Sequence, residues 1–149
     1  MNIKTCMTGT MAAMALAVAP LAAHAENFSF KTTGTAIDQL RVPATGADFQ
    51  GVAMNNTKAD VTYENGKKET VTAKCAAWRN PPNAQFPQSG ICVSQNYEQN
   101  YSCQPRPEKA GQNCWGLLRG TNGAYKGRTG VITYTNGPEG LQGVGRWND

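Results

Sequence analysis

Four of the five cysteines and a scatter of carboxylates are the residues of this 149-residue chain with chemistry to offer, because Cys6 and the one histidine, His24, lie in a stretch that reads as a leader. Without His24, Ser-His-Asp and Cys-His nucleophilic catalysis, His-ligated zinc or copper and a histidine pH switch disappear together. What remains is carboxylate, Lys, Tyr or Arg chemistry. Acids such as Asp38, Asp48, Asp60, Glu64, Glu69, Glu98, Glu108 and Glu139 are the material for a glycosidase-like pair, but no spacing singles out two of them. The simpler reading sets them at strand ends and turns facing solvent. No catalytic residue and no cofactor is assigned.

The cysteines outside the leader, Cys75, Cys92, Cys103 and Cys114, are even in number, and in an oxidising compartment they predict two disulfides. Of three possible pairings, Cys75 with Cys92 and Cys103 with Cys114 is preferred, since each pair then staples the ends of one loop. Closing loops of this size contributes on the order of 3 kcal/mol apiece. A four-thiolate zinc site is the alternative, but the compact C-x2-C knuckles that define such sites are absent, so no metal is expected.

Between Cys75 and Cys92 runs AAWRNPPNAQFPQSG, whose three prolines, Pro81, Pro82 and Pro87, deny backbone donors and hold the segment extended and irregular. Trp78, Arg79 and Phe86 are residue types found at binding hot spots, so a rigid, stapled recognition loop is one reading. A loop folded back to plug a barrel end is the other. Tyr97, Trp115 and Tyr125 complete the candidate ligand- or partner-binding set, as aromatics in the second half that either line a cavity or pack the core.

The leader is residues 1–25: a short region with Lys4, the apolar run MAAMALAVAPLAA and an Ala23-His24-Ala25 cleavage signature. It has the look of a bacterial Sec-type signal, which predicts a periplasmic or secreted protein and takes Cys6 away. The run is too short for a membrane helix and no later stretch approaches one, so no membrane span is expected. Removing the leader, with its one basic residue and no acid, leaves residues 26–149 as a single domain and lowers the formal charge from +4 to +3. The basic residues are scattered, which argues against nucleic acid as a partner.

The elements that must position these side chains are strands. From Cys114 to Trp147, short apolar and β-branched runs are cut at near-regular intervals by Gly and Asn-Gly, the pattern of successive hairpins. Phe28 and Phe30 alternate with Ser29 and Lys31, and Phe49 to Met54 is a second strand with a bend at Gly51. Between them, AIDQLRVPATGAD reads as an irregular connection. Asn65-Gly66 supplies a two-residue type I′ turn, after which Val71, Ala73 and Cys75 share one face. A further hairpin, Ile91 to Tyr97 and Tyr101 to Gln104, turns through Glu98, Gln99 and Asn100. The total is about eight strands with no useful helical periodicity, which predicts an all-β fold, a small closed antiparallel barrel, with a β-sandwich as the alternative.

Cys114-Trp115-Gly116 followed by GTNGAYKGRTGVITYT resembles the C-terminal part of bacterial exported proteins with an allene-oxide-cyclase-like, or dirigent-like, barrel. There a Gly-rich turn, an aromatic, Gly-x-Thr-Gly and a β-branched strand recur, and Gly120, Gly123, Tyr125, Gly127, Thr129 and Gly130 match. The resemblance implies a cofactor-free barrel whose interior takes an apolar small molecule; active members guide ring closure or radical coupling by shape. No catalytic residue of those enzymes maps onto this chain. The expected function is an exported, non-enzymatic barrel that binds a small apolar ligand or a partner protein. Two alternatives stand beside it: a cofactor-free isomerase or cyclase working inside the barrel, and an inhibitor of an exported hydrolase acting through the Pro-rich loop.

Overall fold

Two-residue alternation sends every second side chain of a strand to one face, and here eight strands turn that face toward a common axis. The computed structural model describes residues 25–42 and 50–148. Its strands are β1 (Glu26–Val42), β2 (Gln50–Tyr63), β3 (Lys68–Arg79), β4 (Gln88–Ser94), β5 (Tyr97–Pro105), β6 (Gln112–Gly120), β7 (Thr129–Gly137) and β8 (Gly140–Asn148). Each runs antiparallel to its sequence neighbour, and Glu26–Thr32 of β1 pairs back onto Leu141–Trp147 of β8. The sheet is therefore a closed up-and-down barrel, not a sandwich, and closure leaves no edge along the body of the sheet. The expected leader, apart from Ala25, and the connection 43–49, with Phe49, lie outside the described residues.

The register corrects several boundaries. Residues 36–42, expected as an irregular connection, continue β1 because they pair with β2; the register shifts between Ala36 and Asp38, and no shift falls at Gly51. Strand β3 persists to Arg79 and β4 begins at Gln88, so only 80–87 of the Pro-rich stretch is loop. The β4–β5 hairpin turns at Gln95-Asn96 rather than at Glu98–Asn100, with Ser94 Oγ accepting from the Asn96 and Tyr97 amides at 3.3 and 3.0 Å. The β2–β3 connection is not a type I′ turn either. That turn needs two residues at positive φ, whereas among the described residues only glycines adopt it, and here only Gly66 does, at 83°. Glu64-Asn65-Gly66 form a three-residue turn closed by the Tyr63 amide on Lys67 O, and Asn65 uses its side chain to accept from the Lys67 amide at 2.9 Å.

An eight-stranded barrel is just wide enough to be filled by side chains or to hold one small ligand, and this one is occupied by rings laid across glycines. Tyr101 lies between Gly90 of β4 and Gly116 of β6, Phe28 faces Gly145, and Trp147 faces Gly130. A Cβ on Gly90 would stand 2.3 Å from the Tyr101 ring, and one on Gly145 would stand 2.3 Å from the Phe28 ring. The space each glycine leaves is thus the space its neighbour's ring takes. At the end carrying the β2–β3, β4–β5 and β6–β7 connections, Trp147, only 2% exposed, closes the barrel with Tyr125 and Tyr97 at centroid distances of 4.9 and 5.5 Å. Tyr125 is held there by a 3-10 turn, Gly123–Tyr125, which Asn122 starts by accepting the Gly123 amide on its side chain at 2.8 Å.

Candidate ligand site inside the barrel

The rings do not fill the interior. A cavity of about 180 Å³, partly open to solvent, remains along the barrel axis. Its walls are aliphatic and aromatic, among them Phe30, Val61, Val71, Leu118, Ile132 and Tyr134, and both cystines belong to the same wall. Cys75 bonds to Cys92, its partner across β3 and β4, and Cys103 bonds to Cys114, its partner across β5 and β6. The pairing is the expected one, but the bridges clip adjacent strands inside the barrel instead of stapling loop ends. Toward the end bearing 80–87 and 106–111 the lining turns polar, with Asn55, Asn136, Gln88 and Gln112 supplying amides. Gln112 donates to Gln88 across this end at 2.8 Å.

Opposite them the cavity ends on one carboxylate. Glu69 continues the inward series Cys75, Ala73, Val71 by one more step of two, which carries a charged residue to the interior near the Tyr125 end. Its Oε1 accepts from the Tyr63 hydroxyl at 2.5 Å and from the Tyr125 hydroxyl at 2.8 Å, and the two hydroxyls also touch each other. Two phenol hydroxyls directed at one carboxylate oxygen hold both rings in place. Oε2 makes no hydrogen bond among the described residues; Lys67 Nζ stands 3.6 Å away, its side chain half exposed. Lys67 also lies 4.7 Å from the centre of the Tyr63 ring, and Arg128, paired with Glu26 at 3.2 Å, lies 6.0 Å from Tyr125 and 5.8 Å from Trp147. Two cations therefore cover the outer side of this aromatic floor.

Burial is the main force on the phenols. It pushes Tyr63 well above the ordinary tyrosine range, aided by the bonds to Glu69 and Tyr125. Burial likewise raises Tyr97, with help from the nearby Glu69 and Tyr125 side chains, and raises Tyr134 and Tyr101. Tyr125 is pushed up to about 12, first by burial and then by Glu69, against an opposing pull from the Tyr63 bond. All five are neutral hydrogen-bond donors at ordinary pH.

Of the candidate residues, Tyr97 and the four cysteines line this cavity, and Tyr125 stands directly behind its floor. Trp78, Arg79, Phe86 and Trp115 do not reach it. Trp78 and Trp115 point outward, 38% and 44% exposed, and Phe86 packs against Trp115 at 6.0 Å between ring centres. The loop 80–87 is not a plug: Asn80 binds it to itself, donating to Phe86 O at 2.8 Å and to Ser89 Oγ at 2.7 Å, and none of its residues lines the cavity. Sequence reasoning missed Glu69, which it left among solvent-facing acids. The signal was present in the two-residue period back from Cys75, and it fixes the face on which Glu69 lies.

No family model matches the chain, and no curated protein or solved structure does so either. The fold and the site thus define a class, an eight-stranded antiparallel barrel stapled from within around a small, mainly apolar cavity. Among the described residues no helix is long and apolar enough to cross a membrane.

Proposed function

We propose that this barrel is an exported binding protein for a small, mainly apolar molecule about one ring in size. The observation that carries the reading is the cavity itself. An apolar cavity of about 150 Å³ accepts benzene, so about 180 Å³ accommodates a single ring with one or two further atoms. Larger, drug-sized ligands normally occupy roughly 300 Å³ or more. The resemblance of GTNGAYKGRTG to the allene-oxide-cyclase-like barrels supports the same reading, since it implies a cofactor-free barrel with an apolar interior. Two cystines in the wall suit a periplasmic or secreted setting. Ligand-observed NMR with toluene and benzyl alcohol tests it. Saturation transfer to the bound ring is expected, and Ala73→Leu, which grows a side chain into the cavity, should abolish it; no transfer, or transfer indifferent to Ala73→Leu, defeats the proposal.

A second reading, a cofactor-free isomerase, draws on the Glu69 carboxylate and the Tyr63 phenol both facing the cavity. A carboxylate base beside a protonated phenol could move a proton next to a carbonyl and bind the resulting enolate oxygen. Binding is favoured over it because Oε1 of Glu69 is already occupied by the Tyr63 and Tyr125 hydroxyls, so that oxygen is not free to take a proton from a guest. Catalysed deuterium uptake by a one-ring ketone, lost in Glu69→Gln, would reverse that preference.

A further inference from the structure

Resting on the binding reading, we infer that the ligand class is an organic cation, a one-ring or short-chain amine whose ammonium is held by Glu69 and whose carbon skeleton lies among the aromatic walls. Three observations converge. First, Glu69 is the one ionisable group of acid or base type on the cavity wall; among the described residues no Lys, Arg or His lines it. The phenols add no charge because burial keeps them protonated. Second, Oε1 of Glu69 is occupied by Tyr63 and Tyr125, which fixes the carboxylate's direction, while Oε2 retains lone pairs for a further donor. Third, seven aromatic side chains line this volume, and aromatic rings favour a positive guest.

The competing counter-ion is weak. Lys67 does not line the cavity, its side chain is half exposed, and at 3.6 Å from Oε2 it forms a solvent-screened pair that contributes little. An ammonium entering from within meets the same carboxylate across a drier medium, where the attraction is stronger. An anionic guest meets repulsion from the carboxylate, and a neutral one brings Oε2 at most an uncharged donor, which makes a weaker bond than an ammonium does. The amides of Gln88 and Gln112 at the opposite end have carbonyl oxygens and amide hydrogens to offer but no charge, so they set no sign preference.

The test is a charge ladder on one skeleton: benzylamine, benzyl alcohol and benzoate titrated calorimetrically into the mature protein, Glu69→Gln and Ala73→Leu. Benzylamine is expected to bind at least tenfold more tightly than benzyl alcohol, with benzoate weakest. Glu69→Gln should erase the gap while retaining benzyl alcohol binding. If benzyl alcohol or benzoate matches benzylamine in the unmodified protein, or if Glu69→Gln keeps the amine preference, the cation inference is wrong while the binding reading survives. If none of the three binds, both fall. Amine binding that persists in Ala73→Leu would come from surface acids and also overturns the inference. The ladder on the unmodified protein decides the matter even where a variant does not fold.

Discussion

Raising the pH is the most direct perturbation of this interior, because all five tyrosines of the chain belong to it and burial raises every one of them. In the unfolded chain a phenol ionises at about pH 10. The folded values lie higher, so the stability these groups contribute is fully present below pH 10 and is lost as pH climbs toward the folded values. A phenol still protonated in the folded state at pH 11 costs about 1.4 kcal/mol there relative to neutral pH. Tyr63, Tyr97, Tyr125 and Tyr134 together therefore remove about 6 kcal/mol, comparable with the whole stability of an ordinary domain of about 5–15 kcal/mol. Cooperative alkaline unfolding between about pH 11 and 12 is expected. Phenolate absorbance and far-ultraviolet circular dichroism, followed in parallel, should change together, with little phenolate before the fold is lost. Phenolate rising with a midpoint near pH 10 while the strands persist would refute the reasoning, since those hydroxyls would then be in free contact with water.

Other outcomes are equally concrete. Peptide mapping of the non-reduced protein should find Cys75 linked to Cys92 and Cys103 linked to Cys114, and intact mass should show the loss of four hydrogens; any other linkage contradicts the register. Cys103 and Cys114 are 1% and 2% exposed, so their bridge should resist a reductant until denaturant is added, and Cys103→Ala with Cys114→Ala should cost about 3 kcal/mol in a denaturant titration. Gly130→Val places a Cβ 2.6 Å from Arg146 O, which a backbone cannot easily vacate, so little folded protein should be recovered; a variant of normal stability would mean that β7 and β8 do not approach so closely. Trp78→Ala with Phe86→Ala should lower the thermal midpoint by no more than about 5 °C, because both lie outside the barrel; a fall several times larger would put them in the core.

Most of the strands were legible because their signals are local. Alternation at Phe28 and Phe30, β-branched runs such as Val131 to Thr135, and glycine punctuation all act within one hairpin. The cysteine pairing was legible too, though for a different reason than loop closure: each pair proved to be a direct cross-strand contact. Boundaries were less so. Residues 36–42 carry weak strand signals and form strand because β2 runs alongside, and the turn at Asn65-Gly66 took the three-residue form although its dipeptide is the usual mark of the two-residue one.

By itself, then, the sequence determined the all-β class, a count of about eight strands and the lack of any histidine after residue 24, since each follows from residue type and short-range period, while for the cysteines it left one preferred pairing among three. Only the tertiary structure decided what the interior is. The Glu69 end of the cavity is built from residues far apart in the chain: Tyr63, which lines it, is six residues from Glu69, but Tyr125, which backs it, is 56 away. They converge because the sheet closes and because small residues on one strand make room for rings on the next, as Gly90 does for Tyr101. Outward placement of Trp78 and Phe86 was equally beyond reach. Loop composition says that a segment is rigid and aromatic, but which side of the sheet it covers is fixed by strand register and by the self-bonding of Asn80, which involves residues up to nine positions away. A carboxylate in such a sequence looks like any surface acid until closure shows that the face it shares with Val71, Ala73 and Cys75 is the inside.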